Sequence, residues 1–192
     1  ESGVYMAIDP AFSENKSADY GVIIVVKHDN KDIAYVDSYI RKQATARTLI
    51  DEFKRVYQLY ATFPGRVRAV GIEEVGPQKA FYQQLTQECY QQGLNAPFKK
   101  LTGMINTTRG VMRNKEDRIT YAIQPRLESG RLKFRHEQHE LLDELTMFPE
   151  SKHDDIIDAL AYAVALIEPL QEYTGIDETF DAPEPIVNHG MT

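Results

Sequence analysis

The stretch Lys152-His153-Asp154-Asp155-Ile156-Ile157-Asp158-Ala159-Leu160-Ala161-Tyr162-Ala163 crowds three carboxylates into what should be the start of a helix. Asp154 and Asp158 are four residues apart and Asp155 and Asp158 three apart, so a helix sets all three near one face. Like charges at these spacings repel by roughly 0.2–0.5 kcal/mol per pair. Lys152 and His153 are too few to compensate three acids, and a divalent cation would do so. The competing reading is capping, because Asp is a preferred N-cap and acids in a first turn complement the helix dipole. Capping accounts for one or two of these residues but not for Asp158, which lies a turn further in, among Ile156, Ile157, Leu160 and Ala161.

Two further acids stand where strands should end. Val4-Tyr5-Met6-Ala7-Ile8-Asp9-Pro10 is a short apolar run closed by a carboxylate and a strand-stopping proline, and Val67-Arg68-Ala69-Val70-Gly71-Ile72-Glu73-Glu74 repeats the arrangement. Each acid alone could be a solvated loop residue. Together with the acidic helix start they could form one hard, oxygen-only site assembled from distant parts of the chain. Such ligands favour Mg²⁺ or Mn²⁺ over zinc.

The elements that must position these acids follow from the apolar pattern. Val4 to Ile8, Gly21 to Lys27 and Ile33 to Tyr39 read as strands, the last two joined by the turn-like His28-Asp29-Asn30-Lys31-Asp32, which makes an antiparallel meander. Thr45 to Tyr60 carries Leu49, Ile50, Phe53, Val56, Tyr57 and Tyr60 at helical spacing. The Glu73 strand follows, then a helix from about Gln78 to Gln92 and a short strand near Phe98 to Leu101. A meander followed by alternating helices and strands predicts an α/β layered sheet with helices on both faces.

The 192 residues suffice for one domain with a real core, at 42% hydrophobic and 27% charged composition, and no apolar run reaches membrane-spanning length. The single cysteine, Cys89, excludes an intrachain disulfide and a cysteine-rich zinc site, and fits a reducing compartment and a core position. The sequence opens at Glu1 rather than Met, which fits a piece of a longer protein. Residues 1–170 are expected to form the domain and 171–192 a flexible acidic tail, since Glu168 to Thr192 holds six acids, three prolines and no Lys or Arg.

Lys99 to Arg135 is the opposite in character, with ten Lys or Arg against Glu116, Asp117 and Glu128 in a chain whose net charge is −7. A sharply basic segment in an acidic chain marks a polyanion-binding surface or a solvated helix and hairpin. Beside a carboxylate site the first reading gains, because acids repel phosphates unless metal bridges them and cations hold the flanking backbone.

In order and spacing, strand-Asp9, strand-Glu73 and helix-opening His153-Asp154-Asp155-Ile156-Ile157-Asp158-Ala159-Leu160 resemble the nuclease domain of the large terminase subunit of tailed bacteriophages, from about Tyr5 to Ile167. Gly71-Ile72-Glu73-Glu74-Val75-Gly76-Pro77-Gln78-Lys79-Ala80-Phe81 resembles that family's pattern too, as does Asn114-Lys115-Glu116-Asp117-Arg118-Ile119 running into Leu127-Glu128-Ser129-Gly130-Arg131-Leu132-Lys133-Phe134. The resemblance implies a ribonuclease H-like fold in which Asp9, Glu73 and a carboxylate of the last helix hold two divalent metals. It makes Asp9 and Asp155 the strongest ligand candidates, prefers Glu73 to Glu74, and adds Asp154, with Asp158 left open because related junction resolvases space their helix acids as Asp155 and Asp158 are spaced. Two ions roughly 4 Å apart would flank the scissile phosphate of double-stranded DNA, with no covalent nucleophile. His153 would at most orient water or neutralise the leaving group, and is otherwise a surface residue beside a cap. Lys115, Arg118 and the Arg131–Arg135 hairpin, with Lys133 in it, would grip the DNA backbone with little sequence preference.

The resemblance further implies cutting of viral DNA concatemers during genome packaging, in the cytoplasm of an infected bacterial host. The implied partners are a terminase ATPase domain, the portal and the small terminase subunit. No Gly-x-x-x-x-Gly-Lys-Ser/Thr phosphate loop occurs, so ATP hydrolysis is not expected of this chain and the isolated piece is expected to cut promiscuously. The alternatives are a resolvase-like or other ribonuclease H-like nuclease, and a non-catalytic DNA-binding or assembly module.

Overall fold

Val4, Met6 and Ile8 of β1 (Gly3–Asp9) turn to one face of a sheet while Tyr5, Ala7 and Asp9 turn to the other, because side chains alternate along a strand. β2 (Gly21–His28) divides in the same way, with Ile23 and Val25 on the first face and Val22, Ile24 and Val26 on the second. Strands buried on both faces read as continuous apolar runs, and they need helices above and below. In the computed structural model, which describes residues 2–10, 20–62, 66–73, 76, 78–101, 105–107, 110–112 and 114–167, that is the arrangement. The expected tail at 171–192, and Glu74, Arg109 and Arg113, lie outside the described residues.

The main sheet has six strands in the order β5-β4-β1-β2-β3-β8. β1, β2 and β3 (Ala34–Lys42) pair antiparallel in succession, as the sequence predicts, although β3 runs three residues past the expected Tyr39. β4 (Val67–Glu73) lies parallel to β1, and β5 (Phe98–Leu101) parallel to β4. One face is covered by α1 (Ala46–Tyr60) and α2 (Gln78–Gln91), whose Leu49, Ile50, Phe53, Phe81, Leu85 and Cys89 pack on β1, β2 and β4. Thr45 caps α1 by accepting from the Thr48 N–H.

The other face carries α3 (Lys115–Glu128), α4 (His139–Met147) and α5 (Asp155–Ala165). β6 (Ile105–Thr107) and β7 (Gly110–Met112) make a separate antiparallel pair. Arg131–Arg135 is not a hairpin: Gly130, at φ 66°, turns the chain out of α3 and into the two-residue strand β8 (Leu132–Lys133), which joins the sheet parallel to β3.

α5 is the central helix of this face, with every residue from Ile156 to Val164 buried against the sheet and its neighbouring helices. At its far end β4 comes close, since a Cβ on Gly71 would lie 2.7 Å from Leu101 Cδ1 and 3.0 Å from Leu166 Cδ1. The start of α5 is held in a way the sequence reading missed. Asp154 occupies the N-cap position but makes no side-chain cap hydrogen bond. Glu144 of α4 replaces it, its Oε2 accepting from the backbone N–H groups of Ile156 (2.9 Å) and Ile157 (3.1 Å). Capping by the cluster's own acids is therefore not what happens here, and the Asp154 and Asp155 carboxylates are left for other partners. Replacing Glu144 by Ala strands two buried donors and should destabilise the protein by about 2 kcal/mol in chemical denaturation, while Glu144→Gln, which keeps an acceptor, should recover most of the loss.

Candidate active site

Asp9 and Glu73 each stand one residue beyond the paired Ile8 and Ile72, at the same ends of two adjacent parallel strands. Both point to the α5 face, Asp9 by alternation from Ala7 and Glu73 by alternation from Gly71. On the other side of Asp9 the register runs through Val22 of β2 to Arg41 of β3, so Glu73, Asp9, Val22 and Arg41 form one row across the sheet. The acidic first turn of α5 lies over this row. The sheet and one helix thus gather carboxylates from positions 9, 73, 155 and 158.

The charges make themselves felt. Burial pushes the Asp9 carboxyl up from 3.8 to about 8, with the negative charges of Asp158, Glu73 and Asp155 adding to the rise and Lys115 opposing it. Asp158 is raised too, by burial first, against the pull of Lys115 and Arg118. Burial and the like charge of Asp155 also raise Glu144, to about 7, against its two backbone hydrogen bonds and Arg41.

The cations that answer these acids are specific. Arg118 of α3 is buried, bonds Asp158 and the Tyr162 hydroxyl, lies 3.8 Å from Glu73 Oε1, and its guanidinium carbon stands 4.3 Å from the centre of the Tyr162 ring. One turn earlier, Lys115 Nζ reaches Asp154 Oδ1 at 2.8 Å and Asp158 Oδ2 at 3.3 Å. Burial works to lower the Lys115 pKa, but Asp158 and Asp154 outweigh it, so the ammonium stays charged. Arg41, stacked 4.0 Å from the centre of the Tyr20 ring, donates to Asp155 Oδ2 at 3.4 Å.

No group of three acidic, His or Cys side chains among the described residues stands as a ready ion cage. The donor chemistry nonetheless fits a hard divalent ion: an all-oxygen set whose mutual repulsion raises Asp9.

The expected DNA-gripping residues divide into three. Lys115 sits at the lip of the site, its side chain 40% exposed. Arg118 does not face outward: it belongs to the buried stripe Arg118, Ile119, Ala122, Ile123 and Arg126 of α3. Arg131 and Lys133 lie toward the other end of the sheet, because β8 pairs with Ala34 and Tyr35, six or more residues before Arg41, which is roughly 20 Å along the strand, and Arg135 follows at Asp37, four residues before Arg41 and roughly 13 Å away. There Arg131 binds Asp32 and Arg135 binds Asp37 at 2.7 Å each. Arg41, Glu144 and Tyr162 are site residues that sequence reasoning missed.

A family model described as the terminase RNaseH-like domain matches residues 6–166. The chain belongs to the terminase RNaseH-like domain family. Solved structures similar to this terminase domain include the human cytomegalovirus terminase nuclease domain, at 17% identity and a TM-score of 0.60, covering 88% of this chain and 86% of that one. The same viral domain, manganese-soaked and inhibitor-bound, matches at 15% identity and a TM-score of 0.60 over 88% of this chain and 84% of that one. Fowlpox virus resolvase with its Holliday junction aligns at 14% identity and a TM-score of 0.48 over 86% and 97%. At these identities the likeness is one of fold, and the fold is ribonuclease H-like. No curated protein matches the sequence.

The raised Asp9 carboxyl has a sign that can be tested. An acid that keeps its proton in the folded state up to about pH 8 but loses it near 3.8 when unfolded stabilises the fold at low pH and ceases to as pH rises through that window. Asp158 and Glu144 act in the same direction. In EDTA, Asp9→Asn should melt ~5 °C above wild type at pH 8, the gap closing toward pH 4. A gap that is absent or reversed at pH 8 contradicts the electrostatic account.

Proposed function

We propose that this terminase RNaseH-like domain is a metal-dependent endonuclease that hydrolyses phosphodiesters of double-stranded viral DNA concatemers during genome packaging. The observation that carries this reading is the convergence of Asp9 and Glu73, at adjacent strand ends, beneath the acidic first turn of α5. Asp9, Glu73, Asp155 and Asp154 are the proposed ligands of two Mg²⁺ or Mn²⁺ ions. Asp158 is assigned as the anchor for Arg118 and Lys115, because both of its oxygens already have cationic partners. When bound, such ions ease deprotonation of an attacking water and stabilise charge on the departing 3′ oxygen.

The chain's own residues do the positioning. Arg118 ties α5 to α3 and to the Glu73 strand end, Arg41 orients Asp155, and Glu144 fixes the backbone of the turn that carries the acids. A buried charge pair of this kind sets the geometry because neither member can leave without stranding the other. Lys115 is placed to meet the DNA backbone beside the site, while Arg131, Lys133 and Arg135 would touch a phosphate stretch roughly 13–20 Å away, about four to six base pairs along the duplex. A terminase ATPase domain, with portal and small subunit, is the proposed setting. No helix among the described residues is long and apolar enough to cross a membrane.

The test is digestion of supercoiled plasmid and of a four-way junction with Mg²⁺, Mn²⁺ or EDTA, beside folded Asp9→Asn and Asp155→Asn variants. Metal-dependent nicking and linearisation of the plasmid, abolished in both variants, is the expected result. Cutting confined to the junction would point to a resolvase. Equal cleavage by the variants, or none with either metal, would remove the assignment and leave a DNA-binding module.

A further inference from the structure

Lys115 and Arg118 stand one turn apart on α3 and share Asp158, yet the protein holds them very differently. The Arg118 side chain is 6% exposed and has Asp158, Tyr162 and Glu73 around its guanidinium. The Lys115 side chain is 40% exposed, and its ammonium lies between Asp154 Oδ1 at 2.8 Å and Asp158 Oδ2 at 3.3 Å. A single positive charge on a flexible four-carbon stem therefore sits between two carboxylates of the acidic group, on a side chain that stays part-exposed. Such a side chain needs only to break its two ion pairs to reach water. Arg118 has no comparable freedom, since its departure would strip the buried Asp158 Oδ1 of its cationic partner.

We propose that Lys115 is the exchangeable counter-ion of this site. In the metal-free chain its ammonium neutralises Asp154 and Asp158, and a divalent ion entering the carboxylate group displaces it into solvent while Arg118 stays on Asp158. The inference rests on the metal-site reading above. It has two linked consequences. Lys115 stabilises the metal-free fold by relieving repulsion within the first turn of α5, and it lowers affinity for the ion, because the ion must first break the two contacts. The domain then binds metal more weakly than its acids alone would allow.

The experiment is calorimetric titration of Mn²⁺ into the full chain without DNA, for wild type, Lys115→Met, Lys115→Arg and Asp9→Asn. Lys115→Met, which keeps length and removes charge, should bind Mn²⁺ about tenfold more tightly, the size expected when the ion no longer has to break two partly exposed ion pairs. Lys115→Arg should match wild type. Thermal melts provide a second readout: without metal Lys115→Met should melt below wild type, and Mn²⁺ should raise its melting temperature by more. Lys115→Gln serves in the same two measurements if the Met variant fails to fold. Equal or weaker Mn²⁺ affinity in the uncharged variants, with wild type binding and Asp9→Asn not, overturns the exchange and leaves the metal site standing. Failure of wild type to bind Mn²⁺ overturns both.

Discussion

Like charges are forced together at one end of this domain's sheet, and the rest of the fold is arranged around that cost. Asp9, Glu73, Asp155 and Asp158 come from two strand ends and one helix start, and their mutual repulsion with burial is enough to push Asp9 to about 8. Carboxylates so placed need counter-charge from somewhere. In the structure it comes from Lys115 and Arg118 of α3 and from Arg41 of β3. Removing any one of them shifts the balance for the others, because the acids they serve are coupled.

The scaffold that enforces the convergence is apolar. Asp9 and Glu73 are held in place by the strand runs behind them, Val4 to Ile8 and Val67 to Ile72, which are buried except at Arg68 and, in part, Tyr5. The helix start is held by Glu144 from α4, which takes over the capping that its own Asp154 and Asp155 would otherwise supply. Buried carboxylate-to-backbone bonds of this kind fix a helix end to within a fraction of an ångström. That is what a site of short oxygen ligands requires.

The parts of this arrangement that are local in sequence were legible in it. An apolar run ending in an acid gave Asp9 and Glu73, acid spacing gave the α5 cluster, and turn residues gave the β1-β2-β3 meander. The terminase resemblance rested on the order of these same features, and the family match spans 6–166. What the sequence hid is non-local. Arg118 was read as a surface cation, although its place on the stripe with Ile119, Ala122, Ile123 and Arg126 signals burial. Glu144 shares that signal, an acid on an apolar helix face beside Leu141. β8 is invisible in the sequence, because two residues pairing in parallel with a strand nearly a hundred positions earlier leave no periodic trace, and the sequence alone therefore sets Arg131, Lys133 and Arg135 beside a site from which the sheet separates them.

The most direct test of the central claim is the anomalous scattering of manganese in crystals of the chain grown or soaked with Mn²⁺. Two anomalous peaks bordered by Asp9, Glu73 and Asp155, with Arg118 still on Asp158, are the result the account predicts. Fully ordered Asp9, Glu73 and Asp155 side chains with no manganese among them, while the ion occupies acids elsewhere on the surface, would contradict it.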